Sequence, residues 1–276
     1  MIYWFLDFCR SATRRLGVMR LVSPLVRSVE KGMLGRMGSY EAVAIAPDQT
    51  RLTASSGIEL VMGPPAEFAH LARLVYERPM LTAVLNGLGP IAKNAVAWDI
   101  GANAGFYSSA LARLTLPNGR VFCFEPVPAT CRLLVESLRV AGAGNATAHA
   151  IALSDRDGEA DMASRDGENT TRSLEAQGSD AVRVVTARAD TLVGNARVPQ
   201  PNLIKLDVEG HEMKALAGMS QVLAHPDCRA LLCEIHFGIL HDIGERHVTE
   251  RLHCLLGKAG FRSTRWVSRS HLLALK

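Results

Sequence analysis

The sequence predicts an α/β protein, a doubly wound and mostly parallel sheet with helices on both faces. Three observations carry that prediction. From residue 95 onward, short apolar runs alternate with stretches of helical spacing. One of those runs feeds a glycine-rich turn that opens a helix. Two further runs end in clusters of acids and imidazoles.

The alternation begins with Ala95 to Ile100, apolar except for Asp99, followed by helical spacing from Gly105 to Leu114. Val121 to Phe124 is a second strand, and Pro128 suits the first turn of a helix running to Val140. Thr147 to Leu153 is a third strand. Residues 154 to 181 are polar and glycine-rich, with turn signals at Asp157-Gly158 and Asp166-Gly167. Val182 to Ala187 is extended, and Leu203 to Leu206 is a buried strand ending at Asp207. A helix from Glu212 to Leu223, a strand from Ala230 to Ile235 and a helix from Val248 to Leu256 follow. Arg262 to Val267 and Leu272 to Leu275 close the pattern as an antiparallel pair.

The sequence predicts a separate, α-rich extension over residues 1 to 80 ahead of a larger domain over residues 81 to 276. Residues 1 to 35 have helical spacing through Phe5, Phe8, Leu16, Met19, Val22 and Val26, with Pro24 as a break. Residues 41 to 65 read as short strands and turns, and residues 66 to 86 as a helix. Residues 1 to 40 carry seven Arg or Lys against Asp7 and Glu30. Packing on the domain is the favoured role for that basic helix, and peripheral contact with an anionic membrane is the alternative.

The chain has 276 residues, 48% apolar and 21% charged, enough for a large buried core. Its net charge of +4 resides in the N-terminal segment, so the remainder offers no broad nucleic-acid surface. No C-x-x-C pair occurs among the six cysteines, and Cys123 and Cys233 sit in apolar runs as small core residues. The start MIYWFLDFCR is apolar before it is basic, the reverse of a secretory signal. A cytoplasmic protein with reduced thiols is expected.

In an open α/β sheet, ligands sit at the carboxyl ends of strands. The turn Asp99-Ile-Gly-Ala-Asn-Ala-Gly105 lies there. A dinucleotide needs G-x-G-x-x-G, but Asn103 and Phe106 replace its second and third glycines. The spacing Asp99, Gly101, Gly105 suits a cofactor without phosphate, with Asp99 accepting from an ammonium group or an ordered water. Glu125 ends the second strand, where an acid accepts both ribose hydroxyls.

The run Leu203-Ile-Lys-Leu-Asp-Val-Glu-Gly-His-Glu212 gathers Asp207, Glu209, His211 and Glu212, and Glu234-Ile-His236 closes the next strand. So many acids at the mouth of one sheet require a metal, a bound cation or a shared proton. Two of them have plainer uses, Glu212 as a helix cap and Glu209 as a partner for Lys205 or an arginine.

The segments Asp99-Ile-Gly-Ala-Asn-Ala-Gly-Phe-Tyr-Ser, Phe124-Glu-Pro-Val-Pro, Ala152-Leu-Ser-Asp, Lys205-Leu-Asp-Val-Glu-Gly-His-Glu and Glu234-Ile-His resemble the FkbM family of methyltransferases over about residues 90 to 240. The resemblance implies a class I methyltransferase (Rossmann-like) fold with S-adenosyl-L-methionine as cofactor. It implies cofactor contacts from Asp99, Gly101, Asn103, Gly105, Phe106, Tyr107, Glu125, Pro126, Ser154 and Asp155. The reaction expected is O-methylation of a hydroxyl on a small molecule, sugar or lipid-like metabolite. An N-methyltransferase and a catalytically silent cofactor-binding module are the alternatives. Catalytic candidates are Asp207, Glu209, His211, Glu234 and His236, with His211 or His236 as base. Metal candidates are Asp207, Glu209 and Glu234, of a hardness that suits Mg²⁺ or Mn²⁺.

Overall fold

A computed structural model describes residues 40–46, 49–54, 59–62, 91–164, 172–174 and 181–276. The helices expected over residues 1 to 35 and 66 to 86 lie outside these residues. Between them, β1 (Tyr40–Ala46), β2 (Gln49–Ala54) and β3 (Glu59–Met62) form an antiparallel sheet in that order.

The main sheet has seven strands. These are β4 (Val96–Ile100), β5 (Arg120–Phe124), β6 (Ala146–His149), β11 (Leu203–Leu206), β12 (Ala230–Glu234), β13 (Ser263–Trp266) and β14 (His271–Leu275). Their order is β13-β14-β12-β11-β4-β5-β6. The five strands from β12 to β6 are parallel, and β14 runs antiparallel to both β12 and β13. The chain winds outward from β4 to β6 and then returns to β11 on the other side. The order therefore reverses between β4 and β11, where a doubly wound sheet opens its ligand crevice.

Alternation along the strands builds two cores. Trp98, Ile100, Phe124, Ile204, Leu206 and Cys233 are buried on one face. Against them pack α3 (Ala189–Gly194), α4 (Glu212–Ala217), α5 (Ser220–Ala224), α6 (Phe237–Asp242) and α7 (Val248–Lys258). Ala97, Val121, Cys123, Leu203 and Leu232 face the other way, under α1 (Phe106–Leu114) and α2 (Pro128–Val140). The doubly wound expectation is thus met, as is the closing antiparallel pair.

Four local expectations need correction. The third strand breaks after His149. Ala152–Leu153 forms β7, which leaves the main sheet and pairs with β10 (Val182–Ala187). The polar stretch after it contains two strands, β8 (Gly158–Ser164) and β9 (Arg172–Ser173), in a second sheet ordered β7-β10-β8-β9. Its low apolar content hid β8, whose ladder with β10 needs only backbone groups and is tied by Arg183 to Glu159 and Asp161. The helix from Glu212 divides at Gly218, where a Cβ would lie 1.8 Å from the Ser154 carbonyl oxygen. The distant Asp190 carboxylate then caps α5, accepting from Gln221 N and Val222 N at 3.0 Å each. Finally, α3 and α6, six residues each, are too short to show a helical period in the sequence.

The two halves of the sheet meet tightly at the switch point. Gly101 leaves β4 at φ +75°, and a Cβ there would lie 1.7 Å from the Asp207 carbonyl oxygen beyond β11. Gly101→Ala is expected to destabilise the protein by about 3 kcal/mol, since backbone meets backbone and the conformation is left-handed. Thermal unfolding of purified variant and wild type measures it. A change in melting temperature within about 1 °C would contradict this packing account.

Candidate active site

The loop after β4 is held by β5. Gly101 N and Ala102 N both donate to the Phe124 carbonyl at 3.0 Å. Asn103 is exposed and left-handed, at φ 48°, and its N–H donates to Glu125 Oε2 at 3.0 Å. Val127 N donates to Glu125 Oε1 at 3.0 Å. Burial raises the Glu125 carboxyl to about 7, and the two backbone N–H groups and the Lys205 charge offset that only in part. Each ionised oxygen keeps a lone pair for a further donor. Phe106 and Tyr107 open α1 as a buried edge-to-face pair 5.4 Å apart, and Pro126 is buried beside Glu125.

Glycine at 101 is dictated by the Asp207 carbonyl, as above. Glycine at 105 follows from its left-handed φ of +94°, and a Cβ there would also meet Leu134 Cδ1 at 2.9 Å. Backbone conformation and packing inside the protein explain both residues. Asp99 is fully buried in β4, where Oδ2 accepts from Ser108 Oγ at 2.6 Å and Oδ1 lies 3.5 Å from Lys205 Nζ. The ammonium it faces is therefore one of this chain's own.

On the other side of the switch point, Asp207 follows β11 and His236 follows β12. Glu209 and Gly210 are consecutive left-handed residues, at φ 49° and 95°. This reversal sets Glu209 and Glu212 on opposite sides of the His236 ring. His236 Nδ1 lies 2.7 Å from Glu212 Oε1, and Nε2 lies 3.2 Å from Glu209 Oε2 and 3.8 Å from Asp207 Oδ1. Glu212 is fully buried, and its Oε1 also accepts from Gly210 N at 2.9 Å. Burial disfavours the charged imidazole, but the Glu212 hydrogen bond and the Glu209, Asp207 and Glu212 charges win, raising His236 to about 10. The ring is an imidazolium at neutral pH. Ser173 Oγ of β9 donates to the Glu209 carbonyl at 2.8 Å, so the second sheet supports this turn.

Of the predicted acids, Asp207 and Glu209 thus meet His236. Two other candidates bind elsewhere. Glu234 Oε2 lies 3.2 Å from His271 Nε2, and Ser270 Oγ donates to its Oε1 at 3.4 Å. His211 is buried, with Nε2 2.9 Å from Ser154 Oγ, which donates to Asp155 Oδ1 at 3.0 Å. Ser154 and Asp155 therefore brace the β11 loop. Sequence reasoning missed Lys205 as a site residue. Its signal is a charged side chain inside the fully buried run Leu203–Leu206.

A family model described as the methyltransferase FkbM domain matches residues 99–263. The chain belongs to the FkbM methyltransferase family. That membership bears out the resemblance and the methyltransferase fold class expected from it. A curated relative, hexuronic acid methyltransferase AglP of Haloferax volcanii, is 33% identical over 145 residues, 52% of this chain and 57% of the relative. The chain thus spans little more than half the length of that relative. Among solved structures, an FkbM methyltransferase from Methylobacillus flagellatus aligns at 16% identity and TM-score 0.47, over 67% of this chain and 44% of the other. An S-adenosylmethionine-dependent methyltransferase from Agrobacterium tumefaciens aligns at 10% identity and TM-score 0.48, over 84% and 70%. No described helix is long and apolar enough to cross a membrane.

The raised imidazole has a consequence for stability. His236 titrates at about 10 when folded, against an ordinary value of 6.5. Its contribution is fully present below pH 6.5 and is lost as pH rises through 10. Denaturant unfolding of wild type and His236→Gln should show a gap that is widest at about pH 6 and narrows towards about pH 10. A gap that widens with pH would mean the folded ring is neutral.

Proposed function

We propose that this FkbM-family chain is an S-adenosyl-L-methionine-dependent O-methyltransferase acting on a hydroxyl of a sugar or sugar acid. One observation supports the reading above others. A diol-accepting carboxylate, Glu125, and a carboxylate–imidazolium cluster, Asp207, Glu209 and His236, flank the crevice where the strand order reverses. The donor set suits the cofactor: Glu125 can receive the 2′- and 3′-hydroxyls on its remaining lone pairs, and exposed Asn103 stands where a pyrophosphate would need glycine. When bound, the cofactor supplies an activated methyl group on a sulfonium.

This chain's residues then have to orient the acceptor and take its proton. Asp207 and Glu209 accept a hydrogen bond from the acceptor hydroxyl, and one of them takes the proton as the oxygen gains its methyl group. His236, already charged, serves as a donor that aligns those carboxylates rather than as the base. Glu212 holds the ring by Nδ1, and keeps Nε2 on the reactive side. The saccharide class is supported by the 33% identical relative, whose name gives a hexuronic acid as its substrate.

A second reading has its own observation. Asp207, Glu209 and His236 each offer a ligand atom, all within 4.8 Å of one another. Two carboxylates and one imidazole held by a carboxylate behind it suit Mg²⁺ or Mn²⁺, with the cation displacing the proton that His236 Nε2 otherwise carries. His236 takes the place that the sequence pattern assigns to Glu234 in such a site. In this version a cation would polarise the acceptor hydroxyl.

Mass spectrometry of glucuronide acceptors incubated with the cofactor tests the main reading. One added methyl group on a hydroxyl is expected, and Asp207→Asn should lower turnover about 10²-fold with S-adenosylhomocysteine affinity nearly unchanged. A methyl group found only on the glucuronide carboxylate, or only on the nitrogen of an amino-sugar acceptor tested in parallel, would overturn the hydroxyl reading. Loss of turnover in EDTA, restored by Mn²⁺, selects the metal version, and full turnover in EDTA rules it out.

A further inference from the structure

Lys205 occupies the third position of β11 and pairs in register with Asp99 of β4. Both side chains point to the α1–α2 face, among apolar neighbours such as Ala97, Cys123 and Leu232. Only 7% of Lys205 is exposed. Its Nζ lies 3.2 Å from the Gly101 carbonyl, 3.2 Å from Asp207 Oδ2 and 3.5 Å from Asp99 Oδ1. It also sits 4.8 Å above the Tyr107 ring, at the start of α1.

Burying an ammonium costs several kcal/mol unless oxygens surround it, so this arrangement needs a reason. A counter-ion for buried Asp99 is one. That role would be complete with the Asp99 contact alone. Yet two donors go to groups on opposite sides of the crevice, the first residue of the cofactor loop and the carboxylate that receives the acceptor. The aromatic face of Tyr107, 4.8 Å away, adds a cation–π contact to the same ammonium.

We infer that Lys205 is a positioning residue, a buried ammonium that sets the distance between the Gly101–Gly105 loop and the Asp207 carboxylate. It acts through Gly101 and Asp207 and touches neither substrate. The two sides of a methyl transfer must meet within a few tenths of an ångström, and a displacement of about 1 Å costs about 10²-fold in rate. The inference rests on the methyl-transfer reading of the crevice.

Three full-length variants separate positioning from charge balance: Lys205→Met, Asp99→Asn, and the two combined. Lys205→Met strands the buried Asp99 charge and should melt well below wild type. The double variant removes the stranded charge and should regain the melting temperature of Asp99→Asn. Turnover on the glucuronide acceptor should nevertheless stay at least about 30-fold below that of Asp99→Asn. S-Adenosylhomocysteine affinity should differ by less than about threefold between those two variants, placing the loss in turnover. A crystal structure of the double variant should show the Asp207 carboxylate displaced by about 1 Å. Equal turnover in the double variant and Asp99→Asn, or an Asp207 carboxylate that stays in place, would reduce Lys205 to a counter-ion. If wild type methylates no saccharide, the substrate reading fails by itself, and the Asp207 position still decides the role of Lys205.

Discussion

The site depends on one close contact, the seating of Gly101 against the Asp207 carbonyl at the point where strand order reverses. No side chain fits between them, so the loop after β4 and the loop after β11 meet backbone to backbone. The Asp99–Lys205 pair lies just before it along the same two strands and closes the same seam from beneath. A ladder of parallel hydrogen bonds would tolerate small shifts at its ends. A backbone collision on one level and a buried ion pair on the next do not.

Two polar systems of opposite character are built on that seam. Glu125 has no basic side chain bonded to it in the described residues and takes only backbone N–H groups, so burial lifts its proton affinity towards neutrality. His236 is surrounded by carboxylates, so it holds its proton far above neutrality. The first is suited to receive neutral hydroxyls, the second to hold carboxylates in place while they receive one. The left-handed pair Glu209-Gly210 makes the second arrangement feasible, because only that reversal brings acids from one short loop to both nitrogens of a single ring.

Much of this was legible in the sequence. Buried parallel strands read as continuous apolar runs, so β4, β5, β11 and β12 stood out, and the residues at their carboxyl ends marked the crevice. What escaped depended on contacts between distant segments. Nothing near Gly218 announces that Asp190 will cap the next helix, and the weak pattern of β8 is completed by its pairing with β10. Glu234 and His236 are two residues apart, so a sequence gives them equal claim to the cluster. The antiparallel β14 decides between them by presenting His271 to Glu234. Lys205 was hidden for a similar reason, since its register partner lies over a hundred residues away on β4.

The central claim is that one crevice holds the cofactor on the Glu125 side and the acceptor on the Asp207–His236 side. A crystal structure of the full chain with S-adenosylhomocysteine tests it most directly. The account predicts ribose hydroxyls on the Glu125 carboxylate and the sulfur facing Asp207, Glu209 and His236. Ribose bound away from Glu125, or a sulfur pointing away from that cluster, would contradict it.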